Sequence, residues 1–226
     1  MKVTKKCGIC GYNFTYDDNV YVAGFIRPAS EGAKYYYDLW HFFAEECPEC
    51  GYSCKDVSKT FYKKIINDPN YSAVDDNVII KELKKARPNR VDLYVKSSIY
   101  YQSIGENYLS AISMLQAGDL VYAELMYWEE FVFDNTNSVS ALINKSQYNE
   151  IKKYADKLYL DGVALLEDVV KDDPQNIDAQ LLLAGTLSDG NKIQVMRAVK
   201  ILNSLKSVGL TKGQKSALEF LLDDLN

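Results

Sequence analysis

Four cysteines near the N-terminus form two Cys-x-x-Cys pairs, a spacing that is typical of metal-binding knuckles. Cys7 is paired with Cys10, and Cys47 with Cys50. The two-residue spacer lets both sulfurs of a pair face one ion at a distance of about 2.3 Å. Two pairs complete a tetrahedral shell of four thiolates, which suits Zn²⁺ or a single iron ion. We predict a closed, structural Zn²⁺ site at these four cysteines, with iron as the alternative metal.

The residues beside the cysteines favour the tight turns that such a site needs. Gly11 and Gly51 each follow the second cysteine of a pair. Glycine readily adopts a positive φ, which turns the chain so that backbone N–H groups point at the thiolates. Pro48 restricts φ in the second turn. Both pairs are therefore predicted to form similar knuckles.

The choice between zinc and iron depends on what surrounds the two pairs. Residues 7–12 and 47–51 resemble the two cysteine knuckles of rubredoxin, and iron at this site would imply electron transfer. The gap between the pairs is longer than in that family, and no redox partner domain is visible in the sequence. We therefore expect zinc.

Two further residues near the pairs are alternative ligands. Cys54 could replace a ligand or form a disulfide with one on oxidation. His41 is the only histidine of the chain, and it lies within an aromatic run. Because four cysteines already fill the shell, we expect Cys54 to be a small buried residue and His41 to lie in the core or on the surface.

Composition narrows the class of protein. The chain has 226 residues, of which 47% are hydrophobic and 25% are charged, and its formal net charge of −5 gives no general sign of nucleic-acid binding. All five cysteines lie in the first quarter, which favours a metal site in a reducing compartment over a disulfide framework. The start has no apolar signal region, and no run of about eighteen apolar residues follows, so no membrane association is expected. We predict a cytoplasmic protein.

The elements that position the cysteines change in type along the chain. Two runs rich in β-branched and aromatic residues, at 19–26 and 34–43, predict a hairpin between the two pairs. After about residue 57 the pattern becomes helical. Helices are predicted at residues 57–67, 77–86, 91–117, 119–133, 147–171, 177–187, 191–206 and 211–224. Gly118 and Asp119 predict a turn between the third and fourth of these helices.

The last helices carry a degenerate repeat of the tetratricopeptide kind. Small and large apolar residues recur at offsets typical of that helical hairpin, and Pro174 stands where such a unit ends. The positions are Gly162, Leu166, Val169, Leu181, Ala184, Gly185, Ala198, Leu202 and Leu205. The alternative is an array of antiparallel helices without a true repeat. Both predict an α-helical array of hairpins.

Two other groups of residues suggest nucleic-acid binding as an alternative function. Basic residues cluster near the second predicted helix, and three consecutive tyrosines occupy the second β-rich run. The residues are Lys81, Lys84, Lys85, Arg87 and Arg90, together with Tyr35, Tyr36 and Tyr37. In an acidic chain, a solvated helix end and a half-buried strand explain these groups better. Nucleic acid is therefore the less favoured partner.

The sequence offers little basis for catalysis. A single histidine makes the usual Ser/His/Asp and Cys/His sets hard to build. The chain contains neither of the glycine-rich motifs that bind phosphates or dinucleotides. We therefore expect that the protein is not an enzyme.

With both cysteine pairs and the helical array established, the chain resembles the bacterial family known as domain of unknown function 2225. The matching elements are Cys7–Gly11, Arg27, and the stretch from Trp40 to Tyr52 that contains the second pair. The helices after Pro88 follow the same plan, so that the resemblance covers nearly the whole chain. It implies a segment similar to a zinc ribbon, followed by tetratricopeptide-like helices, and it implies no activity.

Three segments are predicted. Residues 1–56 form a small β-rich, two-knuckle metal module, residues 57–90 form connecting helices, and residues 91–226 form a tetratricopeptide-like array, so the fold class is mostly α. Hairpin arrays present an extended surface, which favours a protein or peptide partner. No flexible linker separates the module from the helices. The module is therefore expected to cap the array, with Trp40, Phe42 and Phe43 packed against Phe61, Tyr62 and Ile65.

Overall fold

The computed structural model describes residues 2–17, 45–58, 67–81, 91–128 and 145–225. Within these ranges the chain forms two short β-hairpins followed by helices. The strands predicted at residues 19–26 and 34–43 lie outside the described residues. Residues 57 and 58 form a turn rather than the start of the predicted helix 57–67, and most of that helix also lies outside. Contacts divide the chain into two compact units, with the boundary between Gly162 and Val163.

Each cysteine pair lies in the turn of an antiparallel hairpin in the first unit. Strand β1 (Lys2–Lys6) pairs with β2 (Asn13–Asp17), and β3 (Glu45–Glu46) pairs with β4 (Ser53–Cys54). Exposed and half-buried residues alternate along β1, as in a strand that covers one face. These strands are not among the predicted elements, because such short alternations do not stand out from their neighbours.

A short helical segment follows the second hairpin. Helix α1 (Pro69–Ala73) begins after Asp68, whose carboxylate accepts a hydrogen bond from the N–H of Asn70 at 2.7 Å. Proline suits the first position of a helix, because no hydrogen bond from its nitrogen is needed there. Residues 78–81 are also helical. Local capping therefore explains where this segment starts.

The next two helices form a hairpin whose turn differs from the predicted one. Helix α2 (Val91–Ser103) is followed by α3 (Asn107–Trp128). The prediction of one helix over residues 91–117 is wrong, because the chain turns at Gly105, where φ is +82° and glycine is favoured. The predicted turn at Gly118 is also wrong, since this residue lies inside α3.

Two glycines allow α3 to approach the next helix, α4 (Lys145–Asp172), within the first unit. A Cβ atom on Gly118 would lie 2.7 Å from Cδ2 of Tyr159, and one on Gly162 would lie 2.8 Å from the side chain of Leu115. Real Cβ atoms do not approach other atoms so closely. The missing side chains therefore make room for close packing, which is the role of Gly118 in place of a turn.

The second unit begins within α4 at Val163 and contains three further helices. They are α5 (Ile177–Ser188), α6 (Lys192–Leu205) and α7 (Lys212–Asp224). Their bounds agree with the last three predicted helices to within one residue. The agreement has a local cause. Asn176, Asn191 and Thr211 each accept hydrogen bonds from backbone N–H groups of the following helix.

The core of the second unit is built around α5. This helix packs against both α6 and α7, and nearly all of its apolar residues are buried. The apolar positions of the predicted repeat that follow Val163 are also buried. They are Leu166, Val169, Leu181, Ala184, Gly185, Ala198, Leu202 and Leu205.

The predicted fold class is confirmed. The protein is mostly α, with a small β-rich, two-knuckle module followed by helical hairpins. The likeness of these hairpins to tetratricopeptide units stays a prediction, as do the segment boundaries at residues 56 and 90. In the described part of the chain, no helix combines the length and apolar character needed to cross a membrane.

Candidate metal centre

The four predicted ligands lie together at the tips of the two hairpins. The sulfur atoms of Cys7, Cys10, Cys47 and Cys50 are all within 4.8 Å of one another. Across the hairpins, Cys7 Sγ lies 3.8 Å from Cys50 Sγ, and Cys10 Sγ lies 3.6 Å from Cys47 Sγ. Among the described residues, no other group of three or more His, Cys, Asp or Glu side chains has the spacing of a metal site.

The sulfur positions fit a tetrahedral ion. A metal–sulfur distance of about 2.3 Å gives a tetrahedron whose sulfur–sulfur edges are about 3.8 Å. The two cross-hairpin distances of 3.8 and 3.6 Å are close to this value. A disulfide would bring two sulfurs to about 2.05 Å. The arrangement is therefore that of four separate ligands around one centre.

The two knuckles have the same backbone geometry. In the first, the N–H of Cys7 donates to the carbonyl of Tyr12 at 2.8 Å, and in the second, the N–H of Cys47 donates to the carbonyl of Tyr52 at 2.9 Å. Gly11 and Gly51 close the turns with φ values of +78° and +69°. Both glycines thus have the positive φ that the sequence predicts, so that each knuckle presents its two sulfurs in the same way.

Burial and backbone hydrogen bonds have opposite effects on the pKa values of the cysteine thiols. A hydrogen bond from the Tyr12 N–H lowers the pKa of Cys10. Burial raises the pKa of both Cys47 and Cys50, although backbone N–H groups in the second knuckle favour their thiolates. A cation at the centre of the four sulfurs would stabilise all four thiolates.

The sulfur cluster is buried on one side only. Cys7 and Cys47, the first cysteines of the two pairs, are 2% and 0% exposed. Cys10 is exposed, and Cys50 is half-buried. An ion can therefore reach the sulfurs from the side of Cys10, while the opposite side is closed by protein.

The two hairpins are joined by a lysine beside the first knuckle. Lys5 Nζ lies 2.6 and 2.8 Å from the two carboxylate oxygens of Glu45 and 3.3 Å from Asp56. Burial by itself would lower the pKa of Lys5, but these hydrogen bonds hold it above its usual value. The N–H of Gly8 also donates to the carbonyl of Val57 at 2.8 Å. These bonds connect the first hairpin to Glu45 of the second hairpin and to the turn that follows it.

A tyrosine from α1 fastens the second knuckle to the helices. The hydroxyl of Tyr71 accepts a hydrogen bond from the N–H of Ser53 at 2.6 Å and donates one to the carbonyl of Gly51 at 2.8 Å. Tyr71 is 3% exposed. One hydroxyl thus satisfies two backbone groups that the turn leaves buried.

Helix α2 also packs against the second hairpin. The rings of Tyr52 and Tyr100 meet edge to face, with centroids 5.2 Å apart. The hydroxyl of Ser53 donates to the carbonyl of Leu93 at 3.1 Å. The second knuckle is therefore part of a continuous core with α2.

Lys96 of α2 is a buried cation close to the second knuckle. Its side chain is 2% exposed, and its Nζ lies 2.6 Å from Asp75 and 3.3 Å from Glu46, the neighbour of Cys47. Nζ also lies 5.7 Å from the centroid of the Tyr71 ring. Burial lowers the pKa of Lys96, but the two carboxylates outweigh burial and raise it. Lys96 therefore links β3, α2 and the segment after α1.

Sequence reasoning did not identify Lys96 and Tyr71, although a signal for Lys96 exists. Leu93, Lys96 and Tyr100 follow the spacing of one helical face, and both neighbours of the lysine on that face are apolar. A lone cation on an apolar stripe predicts a buried partner. For Tyr71 we find no such signal, because its partners are backbone groups of a distant turn.

The other residues singled out in the sequence lie either outside the sulfur cluster or outside the described ranges. Cys54 is 2% exposed and is not part of the sulfur cluster, as expected for a small buried residue. Lys81 is exposed and pairs with Asp76 at 3.5 Å. The remaining predictions concern residues outside the described ranges, namely Arg27, His41, Tyr35, Tyr36, Tyr37, Lys84, Lys85, Arg87, Arg90, Trp40, Phe42, Phe43, Phe61, Tyr62 and Ile65.

The resemblance to domain of unknown function 2225 stays a prediction. Comparisons with protein-family models, curated proteins and solved structures found no match to the chain.

Proposed function

We propose that the chain is a zinc-binding protein whose Cys₄ site has a structural role. The observation that carries this proposal is the cluster of four sulfurs within 4.8 Å, with cross-hairpin distances that match the edges of a zinc–thiolate tetrahedron. Two hairpins with strands of two to five residues have little stability of their own. An ion bonded to both would join them into one unit.

A closed shell supports a structural role over a catalytic one. Catalytic zinc sites keep one position open for water or substrate, whereas four protein thiolates fill the tetrahedron. Bound Zn²⁺ supplies fixed positive charge and no redox chemistry. Iron fits the same donor set, but the gap between the two cysteine pairs is longer than in rubredoxin, which favours zinc. The role that we assign to the protein is therefore not enzymatic.

The helical part is proposed to bind a protein or peptide, with the metal module as a cap. Helical hairpins present extended surfaces that suit such partners. The cap is supported by three contacts of the second hairpin with the helices: the hydrogen bond from Tyr71 of α1, the ion pair with Lys96 of α2, and the ring contact with Tyr100 of α2. Nucleic-acid binding has less support, because the one described residue of the basic run, Lys81, already pairs with a carboxylate.

Elemental analysis tests the metal assignment. Protein purified without chelator should contain about one equivalent of zinc per chain. Cys47→Ala should lose the metal, whereas the control Cys54→Ala should keep it, because Cys54 lies outside the sulfur cluster. One equivalent of iron with visible absorption would support the electron-carrier alternative. Absence of any metal from the native protein would refute the proposal.

Salt dependence tests the partner class. Binding of labelled RNA or DNA through phosphates weakens steeply as the salt concentration rises. We expect no such binding, measured by fluorescence anisotropy between low and physiological salt. Tight binding that is lost with salt, and lost in Lys84→Glu/Lys85→Glu, would replace the scaffold proposal by a nucleic-acid function.

A further inference from the structure

Helix α6 carries two exposed apolar side chains on one face. Ile193 is 71% exposed, and Met196, one turn further along, is 64% exposed. The other large apolar residues that are exposed in the described ranges are far apart in sequence, and single exposed residues of this kind are common. They are Tyr12, Val78, Leu160 and Val208. Ile193 and Met196 differ because they are neighbours on one helix.

The same helix is strongly basic in an acidic chain. Residues 192–206 contain four cations and no Asp or Glu, whereas the whole chain has a formal net charge of −5. The cations are Lys192, Arg197, Lys200 and Lys206. Arg197 pairs with Glu167 of α4 within the second unit. Among the described residues none of the three lysines forms an ion pair, and all three are exposed.

Packing fixes the direction in which the apolar pair points. Ala198, Leu202 and Leu205 bury the opposite face of α6 in the core of the second unit. The helix start is set by a capping box, in which Asn191 and Gln194 bond each other's backbone N–H groups. Ile193, Met196 and Lys200 follow the i, i+3, i+7 spacing, so that they share the outward face. The helix therefore presents these three side chains away from the core of the second unit.

We infer that the outward face of α6, formed by Ile193, Met196, Lys192 and Lys200, binds an acidic amphipathic segment of a partner protein. The inference rests on the proposed scaffold role and names its partner class. An apolar pair flanked by cations matches a helix that presents apolar residues flanked by Asp and Glu. A phosphate backbone would use the cations and leave the apolar pair in water. The charge and the apolar pair together therefore favour an acidic peptide.

Fluorescence anisotropy with a defined peptide tests the inference on the full-length, metal-containing chain. The probe is a labelled helical peptide of about 16 residues with Leu at i, i+3, i+4 and i+7 and Glu beside them. Ile193→Ser/Met196→Ser should weaken its binding about tenfold or more. The control Leu160→Ser removes an equally exposed apolar residue elsewhere and should leave binding unchanged.

Charge reversal of the two lysines on this face provides an independent test of the inference. Lys192→Glu/Lys200→Glu should weaken binding of the acidic peptide and strengthen binding of the same peptide with Lys in place of Glu. The control Lys212→Glu/Lys215→Glu makes the same change in charge at exposed positions of α7 and should have a much smaller effect. Circular dichroism of each variant verifies that the fold is kept. Amide resonances of residues 192–204 should shift when the acidic peptide is added.

The outcomes separate this inference from the scaffold proposal. If the wild-type chain binds the acidic peptide but the α6 variants bind it equally well, the surface is wrong and the scaffold role stands. Equal binding of acidic and basic peptides would refute the partner class. Failure to bind any of these peptides would refute the inference, and the scaffold role would then depend on other surfaces. Preferential binding of an RNA oligonucleotide, lost in the charge-reversal variant, would also overturn it.

Discussion

The five cysteine side chains lie in different surroundings. Four belong to one sulfur cluster, in which Cys10 faces solvent and Cys47 is fully buried. Cys54 is separate from the cluster, and burial raises its pKa to about 11. The reactivity of a cysteine depends on its thiolate fraction and its exposure to solvent. The buried Cys54 is therefore poorly suited to form a disulfide with one of the ligands on oxidation. Its position in β4 makes it part of the packing of the second hairpin.

The burial of Cys54 predicts slow alkylation. With a pKa of about 11, only about one molecule in a thousand carries the thiolate at pH 8, and the fraction rises as the pH approaches the pKa. In the native protein, iodoacetamide should therefore label Cys54 far more slowly than in denaturant, as measured by peptide mass spectrometry. Rapid labelling of Cys54 while the metal content stays constant would contradict this.

Removal of Lys96 should weaken the contact between the second hairpin and helix α2. Lys96→Met leaves Glu46 and Asp75 without their buried cation, but both carboxylates are partly exposed, so we expect a loss of about 1–3 kcal/mol in the free energy of unfolding. Lys157→Met is the control, because its pair with Asp161 is exposed and is worth about 0.5 kcal/mol or less. Equal losses in urea titrations of the two variants would show that Lys96 has no special role.

At the level of elements, small residues decide how closely the helices of the first unit approach. Ser98 and Ser110 lie between α2 and α3 with their Oγ atoms 2.8 Å apart. Gly118 and Gly162 lie between α3 and α4. Each replaces a side chain that would keep the helix axes apart. The packing of this unit therefore depends on the positions of small residues as well as on the burial of apolar side chains.

Gly118→Ala should therefore destabilise the protein, although alanine favours helices. The new Cβ would lie 2.7 Å from Tyr159, whose ring cannot move away easily because its hydroxyl donates to Asp119 and its edge contacts Tyr122. We expect a cost of about 1–3 kcal/mol in chemical unfolding. Gly213→Ala is the matched change, since nothing lies within 4 Å of its Cβ position, and it should stabilise α7 by up to about 1 kcal/mol. Stabilisation by both substitutions would show that the contact between α3 and α4 can accommodate an additional methyl group.

At the scale of the whole molecule, the two cysteine-bearing hairpins share a compact unit with helices α1, α2 and α3. The first unit runs to Gly162, and the second contains α5, α6 and α7 with their own core. The sulfur cluster is connected to α2 through Glu46 and Lys96, and through Tyr52 and Tyr100. The effect of the metal is therefore expected to extend beyond the two hairpins.

Metal removal should loosen the first unit and leave the second intact. With chelator, we expect hydrogen exchange to become fast in residues 2–17, 45–58 and 67–81 and faster in α2, because the short hairpins lose the ion that joins them. Helices α5–α7 should keep their protection, and added Zn²⁺ should restore the rest. Loss of protection throughout the chain would mean that both units unfold together. Unchanged exchange in α2 would mean that the module is independent of the helices.

The helix boundaries show which parts of the fold are determined by the local sequence. The helices after Asp172 begin at capping residues whose side chains bond nearby backbone groups, so that a short stretch of sequence contains the whole signal. The turn before α3 was not predictable in this way. Gly105 and Gly118 look alike locally, and only the packing of Tyr159 against Gly118 distinguishes a turn glycine from a packing glycine.

For the metal centre, the sequence by itself determined which cysteines come together. The spacing within each pair and the glycine after it act over a few residues, and these interactions are the same in any fold that brings the pairs together. The sequence also predicted that Cys54 is a small buried residue outside the cluster, which the structure confirms. Tertiary structure alone decided that Lys96 is the cation beside the second knuckle and that Tyr71 supports its turn. These contacts join residues far apart in the chain, so they depend on how the elements pack, which local spacing does not encode.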